Sequence, residues 1–469
     1  MSHSAYATLP VPSLPDFDSS SWIQRKFLAH VKRTILYALE KGITGGSLEV
    51  KDPAGVIHKF GFGKLEKESA AGSESRKAAL HINNDRFWLR VYLSYDVGFS
   101  EAYMAGDCDS SDLKEVLNLY IDNLRNMGFF STYFHKTFKA INAIAHFFSH
   151  SHSKSIKNVA GYDASNELYV AFLSKEMQYS CPIWSDSEGG VRGDLEGHRA
   201  TGDLEAAQAT KITYILRKAR LRPGCRLLEI GCGWGSIAIA AAKMGCTVDA
   251  LTLSIEQKKL AEKRIEEAGL SAQISVHFMD YRDMPVHFKK AFDACVSLEM
   301  LEAVGLEYMP TYIAKIDWAL KDKNSAVVLT ATTYPESTHT RYQGQNFIRK
   351  FHWPHTILPS ALSLATDFKT VLGGRFCIDS IEDFGTREVS LLPALLREWG
   401  RRLDENWTAD LIDSLQQRYP ELKDPYKLEM FRRKWHYMFV YMEVAYSRVM
   451  LSCVCWTLVR PAFAATVCA

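Results

Sequence analysis

LEIGCGWG, residues 228–235, is the stretch of sequence that decides the fold. It follows the strand-like run CRLLEI and precedes the helix-like run SIAIAAAKMG, so we expect a glycine-rich turn between a buried strand and a helix. Glycines at every second position let the backbone approach a ligand closely. The dinucleotide fingerprint G-x-G-x-x-G has its third glycine one residue later, so the spacing here favours a cofactor without a pyrophosphate.

An acidic residue lies two positions before the first glycine of this turn. Glu229 would face a positively charged group, such as the amino acid ammonium of S-adenosylmethionine, while Gly231, Gly233 and Gly235 bring the backbone to the ligand. The alternative is a strand–helix turn that is rich in glycine for packing alone. Because strand, turn, helix and acid agree, the sequence predicts a cofactor site.

Strand-like and helix-like runs alternate on both sides of the turn, from about residue 205 to residue 332. This alternation is typical of an α/β fold with a doubly wound, mostly parallel sheet. Residues 333–370 interrupt the pattern after a strand, where an insertion is well placed to form a lid over a site.

Polar residues follow the next two strands, at the sheet edge where doubly wound folds bind ligands. The second strand ends at Thr252 and Leu253, with Gln257 one turn into the following helix, and the third ends at Asp280 and Tyr281. Each of these residues is also an ordinary cap or turn residue. Together, at successive strand ends, they predict one pocket for the ribose and adenine of an adenosyl cofactor.

The first 150 residues have a different organisation. Residues 1–20 are rich in Pro and Ser and are expected to be disordered, and residues 22–41 have the apolar spacing of an amphipathic helix. We favour a helix docked on its own domain over one lying on a membrane surface. The runs SLEVKD and FWLRVYLSYDVGF suggest a small sheet, helical patterns follow around 112–126 and 135–149, and the His-containing run at 146–155 is expected to be a linker.

Composition excludes several classes of protein. The 469 residues suffice for two or three domains, and Lys+Arg 56 against Asp+Glu 54 argues against a dedicated nucleic-acid binder. The ten cysteines form no C-x-x-C pair, so neither a zinc ribbon nor a thioredoxin site is expected. The His residues at 146–155 have no acidic or Cys partner nearby, so no metal site is expected there. With no signal-peptide pattern at the N-terminus, we expect a cytoplasmic protein. The apolar residues 435–459 contain Glu443 and Arg448, which favours a buried helix followed by a strand over a membrane span.

Motifs around the glycine turn make the chain resemble a known family. MQYSC at 177–181, LEIGCGWG at 228–235, LTLSIEQ at 251–257 and SLEMLEAVG at 297–305 resemble those of the cyclopropane-fatty-acid and mycolic acid cyclopropane synthases. The resemblance implies a class I methyltransferase domain over residues 156–469 and a smaller α+β, lipid- or membrane-associated domain over residues 21–150.

The resemblance also implies an activity and its site residues. Members of the family use S-adenosylmethionine to form a cyclopropane ring at the cis double bond of unsaturated phospholipid acyl chains, so a peripheral membrane location is expected, and a homodimer is a further possibility. A bound bicarbonate is thought to accept the proton lost on ring closure. The residues matching cofactor positions are Tyr179, Ser180, Gly231, Gly233, Thr252, Leu253, Gln257 and Tyr281. Cys181, through its backbone N–H, and Glu302 match bicarbonate-site positions and are the expected catalytic residues.

Three positions depart from the family pattern. Thr330 stands where bacterial members place a bicarbonate-binding His, Gly161 stands where His is usual, and Glu388 lies nearest to the expected Tyr. These departures leave a C-methylated or methylene-branched lipid as an alternative product. A non-catalytic lipid-binding protein and an NAD-type oxidoreductase are further alternatives, the latter disfavoured by the missing third glycine and the lack of a ribose-binding acid.

Overall fold

The structure is a computed structural model that describes residues 22–61, 76–127, 165–354, 356–385 and 391–461. Several sequence predictions lie outside the described residues: the disordered lead-in at 1–20, the helix at 135–149, the linker at 146–155, and Gly161 and Glu388.

A four-stranded sheet with the strand order β2-β1-β3-β4 forms the first part of the chain. Strands β1 and β3 are parallel, whereas β1–β2 and β3–β4 are antiparallel. The strands are β1 (Ser47–Lys51), β2 (Ile57–Phe60), β3 (Lys77–Ile82) and β4 (Cys108–Asp109), and the helices are α1 (Trp22–Gly42), α2 (Arg86–Met104), α3 (Leu113–Asp122) and α4 (Leu124–Met127).

The run FWLRVYLSYDVGF is helical apart from a kink at Tyr95, and its assignment to the small sheet was wrong. It lies within α2, where Phe87, Trp88, Leu89 and Arg90 are consecutive and all buried. Alternating polarity indicates a strand only when one face meets solvent. Here the helix packs against α1 on one side and against the C-terminal helix on the other, so adjacent positions are buried together.

The predicted doubly wound fold is confirmed in the second part of the chain. Its seven-stranded sheet has the order β10-β11-β9-β8-β5-β6-β7, in which β5 to β9 are parallel and β11 runs antiparallel between β9 and β10. The strands are β5 (Arg226–Ile230), β6 (Thr247–Thr252), β7 (Ile274–Phe278), β8 (Ala294–Leu298), β9 (Ala326–Thr333), β10 (Cys377–Asp383) and β11 (Ser452–Val459).

Helices cover both faces of this sheet, as the alternating sequence predicts. They are α5 (Asn166–Phe172), α6 (Asp203–Lys218), α7 (Ser236–Lys243), α8 (Ile255–Glu267), α9 (Met309–Ala319), α10 (Phe347–Phe351), α11 (Ala361–Leu372), α12 (Leu391–Glu405), α13 (Ala409–Arg418) and α14 (Pro425–Ser447). The predicted insertion at 333–370 contains α10 and the start of α11.

The apolar run at 435–459 is the end of α14 followed by β11, as predicted. Glu443 within it is buried and forms an ion pair with Arg397, whose Nη1 donates a hydrogen bond to the carboxylate at 2.9 Å. Among the described residues, none of the helices combines the length and apolar character needed to cross a membrane.

Strand order positions the site. The strands β5 and β8 are neighbours, and the chain leaves β5 toward β6 on one side but leaves β8 toward β9 on the other. The carboxyl ends of parallel strands around such a reversal form a crevice. The glycine turn after β5 and the segment after β8 meet there.

Candidate active site

The glycine turn after β5 borders a cavity of about 160 Å³. Gly231 and Gly233 line it with backbone φ values of +83° and +52°, a region that side-chain-bearing residues rarely adopt. A Cβ on Gly233 would meet no atom within 4 Å, so it would project into open space. Gly235 does not line the cavity. It precedes α7, and a Cβ there would lie 3.3 Å from Cβ of Ala261 on α8, so its role is helix packing.

The acid of the turn is poised for a positive group. Glu229 lines the cavity and is only 4% exposed, and its Oε2 has no hydrogen-bond partner among the described residues. Burial raises the pKa of this carboxyl to about 8. A buried carboxyl oxygen without a donor is costly, and an ammonium ligand would satisfy it. The site therefore fits the amino acid end of S-adenosylmethionine.

Three polar groups at the end of β6 are held together by hydrogen bonds. The Thr252 hydroxyl donates to Oε1 of Gln257 at 2.9 Å and accepts from the Ser254 N–H at 3.1 Å. Ser254 also caps α8 by accepting from the Gln257 N–H. All three, with Leu253, line the cavity. The cap of α8 is thus Ser254, and the hydrogen bond from Thr252 orients the Gln257 amide group beside the cavity.

The end of β7 closes the cavity on another side. Asp280 and Tyr281 both line it. Asp280 accepts from the backbone N–H and Nε of Arg282 at 2.9 and 2.8 Å, so its charge is balanced within the chain. Tyr281 is 4% exposed, contacts Tyr312 edge-to-face, and has its pKa raised to about 12 by burial. A neutral aromatic wall of this kind suits an adenine ring.

The MQYSC segment joins the cavity from outside the sheet. Tyr179 and Ser180 line it, and Tyr179 stacks face-to-face on Trp399 with ring centroids 4.9 Å apart. A buried Lys211 on α6 donates to Ser180 Oγ at 2.6 Å and to the side-chain oxygen of Gln178. Burial lowers the pKa of Lys211 to about 8. Hydrogen bonds from the buried Lys211 therefore hold this segment in place, and the sequence patterns did not single out this lysine.

A second, larger cavity of about 490 Å³ adjoins the first. Tyr179, Ser180, Glu299 and Ala303 line both cavities, so the two meet at these residues. The larger cavity is bordered by the 333–370 insertion and extends into the first part of the chain, where its walls are mostly apolar. These walls include Ile35, Leu39, Leu48, Val50, Leu80, Phe99 and Leu117.

Glu302 lies on the wall of the larger cavity. Its Oε1 accepts from the Thr332 N–H at 2.6 Å, and its Oε2 has no partner among the described residues. Burial, followed by the nearby charge of Glu299, raises the pKa of Glu302 to about 8. The helix-start alternative does not account for this side chain, which faces the cavity in a form that is mostly neutral at pH 7.

Glu299 lies within the SLEMLEAVG motif, but the sequence patterns gave this acidic residue no role in the site. It follows β8, lines both cavities, and accepts the backbone N–H of Cys181 on Oε1 at 2.8 Å. Cys181 itself is buried and is not among the residues lining either cavity. An acid at the carboxyl edge of β8 was the available signal, but the sequence did not reveal that it contacts residue 181.

The residues present do not fit a bound bicarbonate. The Cys181 N–H, which the resemblance assigns to that anion, donates to Glu299 instead. Thr330, at the position of the family's His, accepts the Glu299 N–H on its hydroxyl oxygen at 3.2 Å. An added anion would also lie against Glu299, whose ionised form would repel it by roughly 4 kcal/mol at a separation of about 4 Å.

Comparisons with known proteins agree with this geometry. A family profile described as mycolic acid cyclopropane synthetase matches residues 149–438. The chain is 31% identical over 403 residues to the tuberculostearic acid methyltransferase of Mycobacterium tuberculosis, covering 84% of this chain and 86% of the relative. It is 29% identical over 394 residues to the cyclopropane-fatty-acyl-phospholipid synthase of Escherichia coli, covering 83% and 90%.

A solved structure matches the fold. The chain superposes on a mycolic acid cyclopropane synthase complexed with SAH and CTAB with a TM-score of 0.52 at 21% identity, covering 65% of this chain and 97% of that structure. The matched portion is the class I methyltransferase fold.

Proposed function

The chain belongs to the mycolic acid cyclopropane synthetase family, and we propose that it transfers a methyl group to the cis double bond of unsaturated fatty acyl chains in phospholipids. It is an S-adenosylmethionine-dependent methyltransferase of lipid-modifying type. The oxidoreductase alternative is thereby set aside. The lipid class and the form of the product are the proposed parts.

The meeting of two cavities at Tyr179, Ser180, Glu299 and Ala303 is the observation that supports this proposal. The smaller cavity, which we call the cofactor cavity, has the acidic and polar groups that a charged adenosyl cofactor needs. The larger cavity, which we call the acyl cavity, is mostly apolar. Ligand cavities of ~300–1,000 Å³ bury most of a bound molecule, and this range includes the larger cavity. An acyl chain lying in the larger cavity would bring a double bond to the junction, the point where the two cavities meet.

S-adenosylmethionine, when bound, supplies an electrophilic methyl group. Glu229 would hold its ammonium, the Gly231–Gly233 backbone would approach its amino acid portion, and Gln257 and Tyr281 would contact the ribose and adenine. At the junction, the aromatic ring of Tyr179, which is held by stacking on Trp399, can stabilise positive charge on the sulfonium and on the reacting carbon atoms. When an acyl chain fills the larger cavity, its apolar walls leave no room for water, which would otherwise trap that charge.

Two products remain compatible with this arrangement. Loss of a proton from the transferred methyl group with ring closure gives the cyclopropane, which is the product we propose. Methyl transfer without ring closure gives a methyl- or methylene-branched chain. Thr330 in place of a His favours considering the second product, and the name of the mycobacterial relative is that of a methyltransferase.

Helix α1 supports docking on a membrane. Trp22, Ile23 and Phe27 at its start are exposed by 62%, 72% and 45%, with Arg25 and Lys26 among them. The second half of the helix docks as predicted, because Val31 and Ile35 are buried. An exposed apolar and basic helix start, attached to the wall of the acyl cavity, suits an anionic lipid surface. We therefore propose a peripheral membrane protein whose lipid-associated domain spans residues 21–150.

The decisive experiment uses the full chain, vesicles of unsaturated phospholipid and S-adenosylmethionine carrying a deuterated methyl group. Mass spectrometry of the released fatty acids should show label in the acyl chain. A cyclopropane retains two methyl deuterons, as does a methylene branch, and the two are separated by their fragmentation. Vesicles of saturated phospholipid are the control. Absence of label from every unsaturated lipid would refute the proposed function and leave a non-catalytic lipid-binding role.

A further inference from the structure

We propose that Glu299 is the catalytic base of this enzyme, a carboxylate built into the chain at the place where relatives are thought to use bicarbonate. The inference rests on the proposed function, because it assigns the proton acceptor of that reaction. It follows from the position of Glu299, its contacts and its balance with neighbouring charges.

Glu299 lies where the two cavities meet. Glu299 lines both cavities, whereas Glu302 lines the acyl cavity and is absent from the walls of the cofactor cavity. Proton loss follows methyl transfer at the same carbon atoms, so the acceptor must reach the junction. Glu299 does so, and its partly exposed surface faces the two cavities.

The backbone of Glu299 is held in an unfavourable conformation. Its φ is +49°, in the left-handed region that costs a residue with a side chain roughly 1–2 kcal/mol. Its N–H is shared between the Thr330 carbonyl oxygen at 2.9 Å and the Thr330 hydroxyl oxygen at 3.2 Å. Strain that surrounding contacts maintain is typical of functional sites. Thr330 thus fixes Glu299, which accounts for one departure from the family pattern.

Neighbouring groups act differently on the two carboxyls. The Cys181 N–H and the charge of Lys211 favour the ionised form of Glu299, against the burial that raises its pKa. Glu302 has a backbone N–H but is also opposed by the charge of Glu299, and its pKa is raised to about 8. Of the two carboxyls, Glu299 is therefore the one with both a backbone N–H and a buried cation to stabilise the negative charge of a base.

Glu299 accepts the one proton that the reaction releases. Methyl addition to one carbon of the double bond leaves positive charge on the other, and S-adenosylhomocysteine is the leaving group. The Glu299 carboxylate takes a proton from the new methyl group, and the electron pair of that C–H bond closes the ring. If a hydride first shifts from the methylated carbon to its positively charged neighbour, loss of a proton from the methyl group gives a methylene branch instead. In both cases Glu299 ends as a carboxylic acid and is restored by losing the proton to solvent.

The test compares Glu299→Gln, Glu302→Gln and the exposed control Glu266→Gln on α8 in the labelled-methyl assay, with and without bicarbonate. Parent turnover should change by less than about twofold when bicarbonate is removed. Glu299→Gln should lower turnover by about 10²–10⁴-fold, the usual contribution of a general base, with S-adenosylmethionine affinity by calorimetry nearly unchanged. Glu302→Gln keeps a neutral group and should lower turnover by less than about tenfold, well under the loss for a base.

Chemical rescue separates a base from a structural residue. Glu299→Gly removes the carboxylate and suits the positive φ, so it should fold and bind cofactor. Added formate or bicarbonate should raise its turnover by at least about tenfold, within the range that a general base contributes.

The proposal is overturned by any of three results: parental turnover in Glu299→Gln, loss of cofactor binding in both Glu299 variants, or parent activity that requires bicarbonate. A parent that labels no lipid refutes the proposed function itself, which distinguishes the two failures.

Discussion

Glu302→Gln should be more stable than the parent, and the difference in unfolding free energy should grow as the pH rises. The carboxyl pKa is about 8 in the folded chain against an ordinary value of 4.5, so the folded state holds this proton more tightly than the unfolded state. The associated stability is fully present below about pH 4.5 and is lost as the pH rises through 8. Gln stays neutral, keeps an acceptor for the Thr332 N–H, and escapes this loss.

The size of the effect follows from the shift. One pH unit within the window is worth about 1.4 kcal/mol, so the interval from pH 5 to pH 8 corresponds to at most about 4 kcal/mol. Glu302 faces a cavity that water can enter, which screens part of the charge. We therefore expect the unfolding free energy of Glu302→Gln to gain roughly 2–4 kcal/mol on the parent over this interval.

Urea unfolding followed by tryptophan fluorescence at pH 5, 6.5 and 8 measures this difference. Glu266→Gln, an exposed position, is the matched control and should show no pH-dependent gap. A constant difference between Glu302→Gln and the parent across the three pH values would mean that Glu302 titrates in its ordinary range. The raised pKa of Glu302 would then be wrong.

Two further predictions concern the cofactor and the membrane. Gly233→Val should weaken S-adenosylmethionine binding by at least about 100-fold in calorimetry, a loss of about 3 kcal/mol, because its side chain projects into the cofactor cavity. Gly269→Val, at a similar positive φ in open space after α8, is the control, and equal affinities for both would remove the glycine turn from the site. Replacing Trp22, Ile23 and Phe27 together by Ser should lower sedimentation with anionic vesicles by at least about tenfold while leaving cofactor affinity unchanged, since each apolar side chain contributes ~1.5–3 kcal/mol when fully buried. Unchanged sedimentation would place the membrane contact elsewhere.

The sequence predicted the features whose causes are local. The strand, glycine turn and helix around Gly231 are specified by adjacent residues, and the polar residues at 252, 257 and 281 were found because parallel strands end at one edge. Gly235 was assigned to the ligand because it shares the spacing of its neighbours. Its contact with Ala261 lies 26 positions away and leaves no trace in the turn.

Long-range contacts account for what the sequence did not predict. Lys211 belongs to an ordinary amphipathic helix, and only its burial against Gln178 and Ser180 makes it part of the site. Glu299 meets the Cys181 N–H across 118 positions. Helix α2 was misread because its burial is decided by two helices from opposite ends of the chain.

The shared acyl cavity has a consequence for which carbon atom is modified. Leu48 and Val50 on β1 and Leu80 on β3 border the same cavity as Glu299 and Glu302. For an acyl chain whose methyl end stopped against these side chains, the carbon at the junction would be counted from the methyl end of the fatty acid rather than from its head group. Positional selectivity is then encoded in the small sheet, remote in sequence from every catalytic motif. Shortening these side chains to Ala would move the modification toward the carboxyl end of the chain without altering the reaction itself.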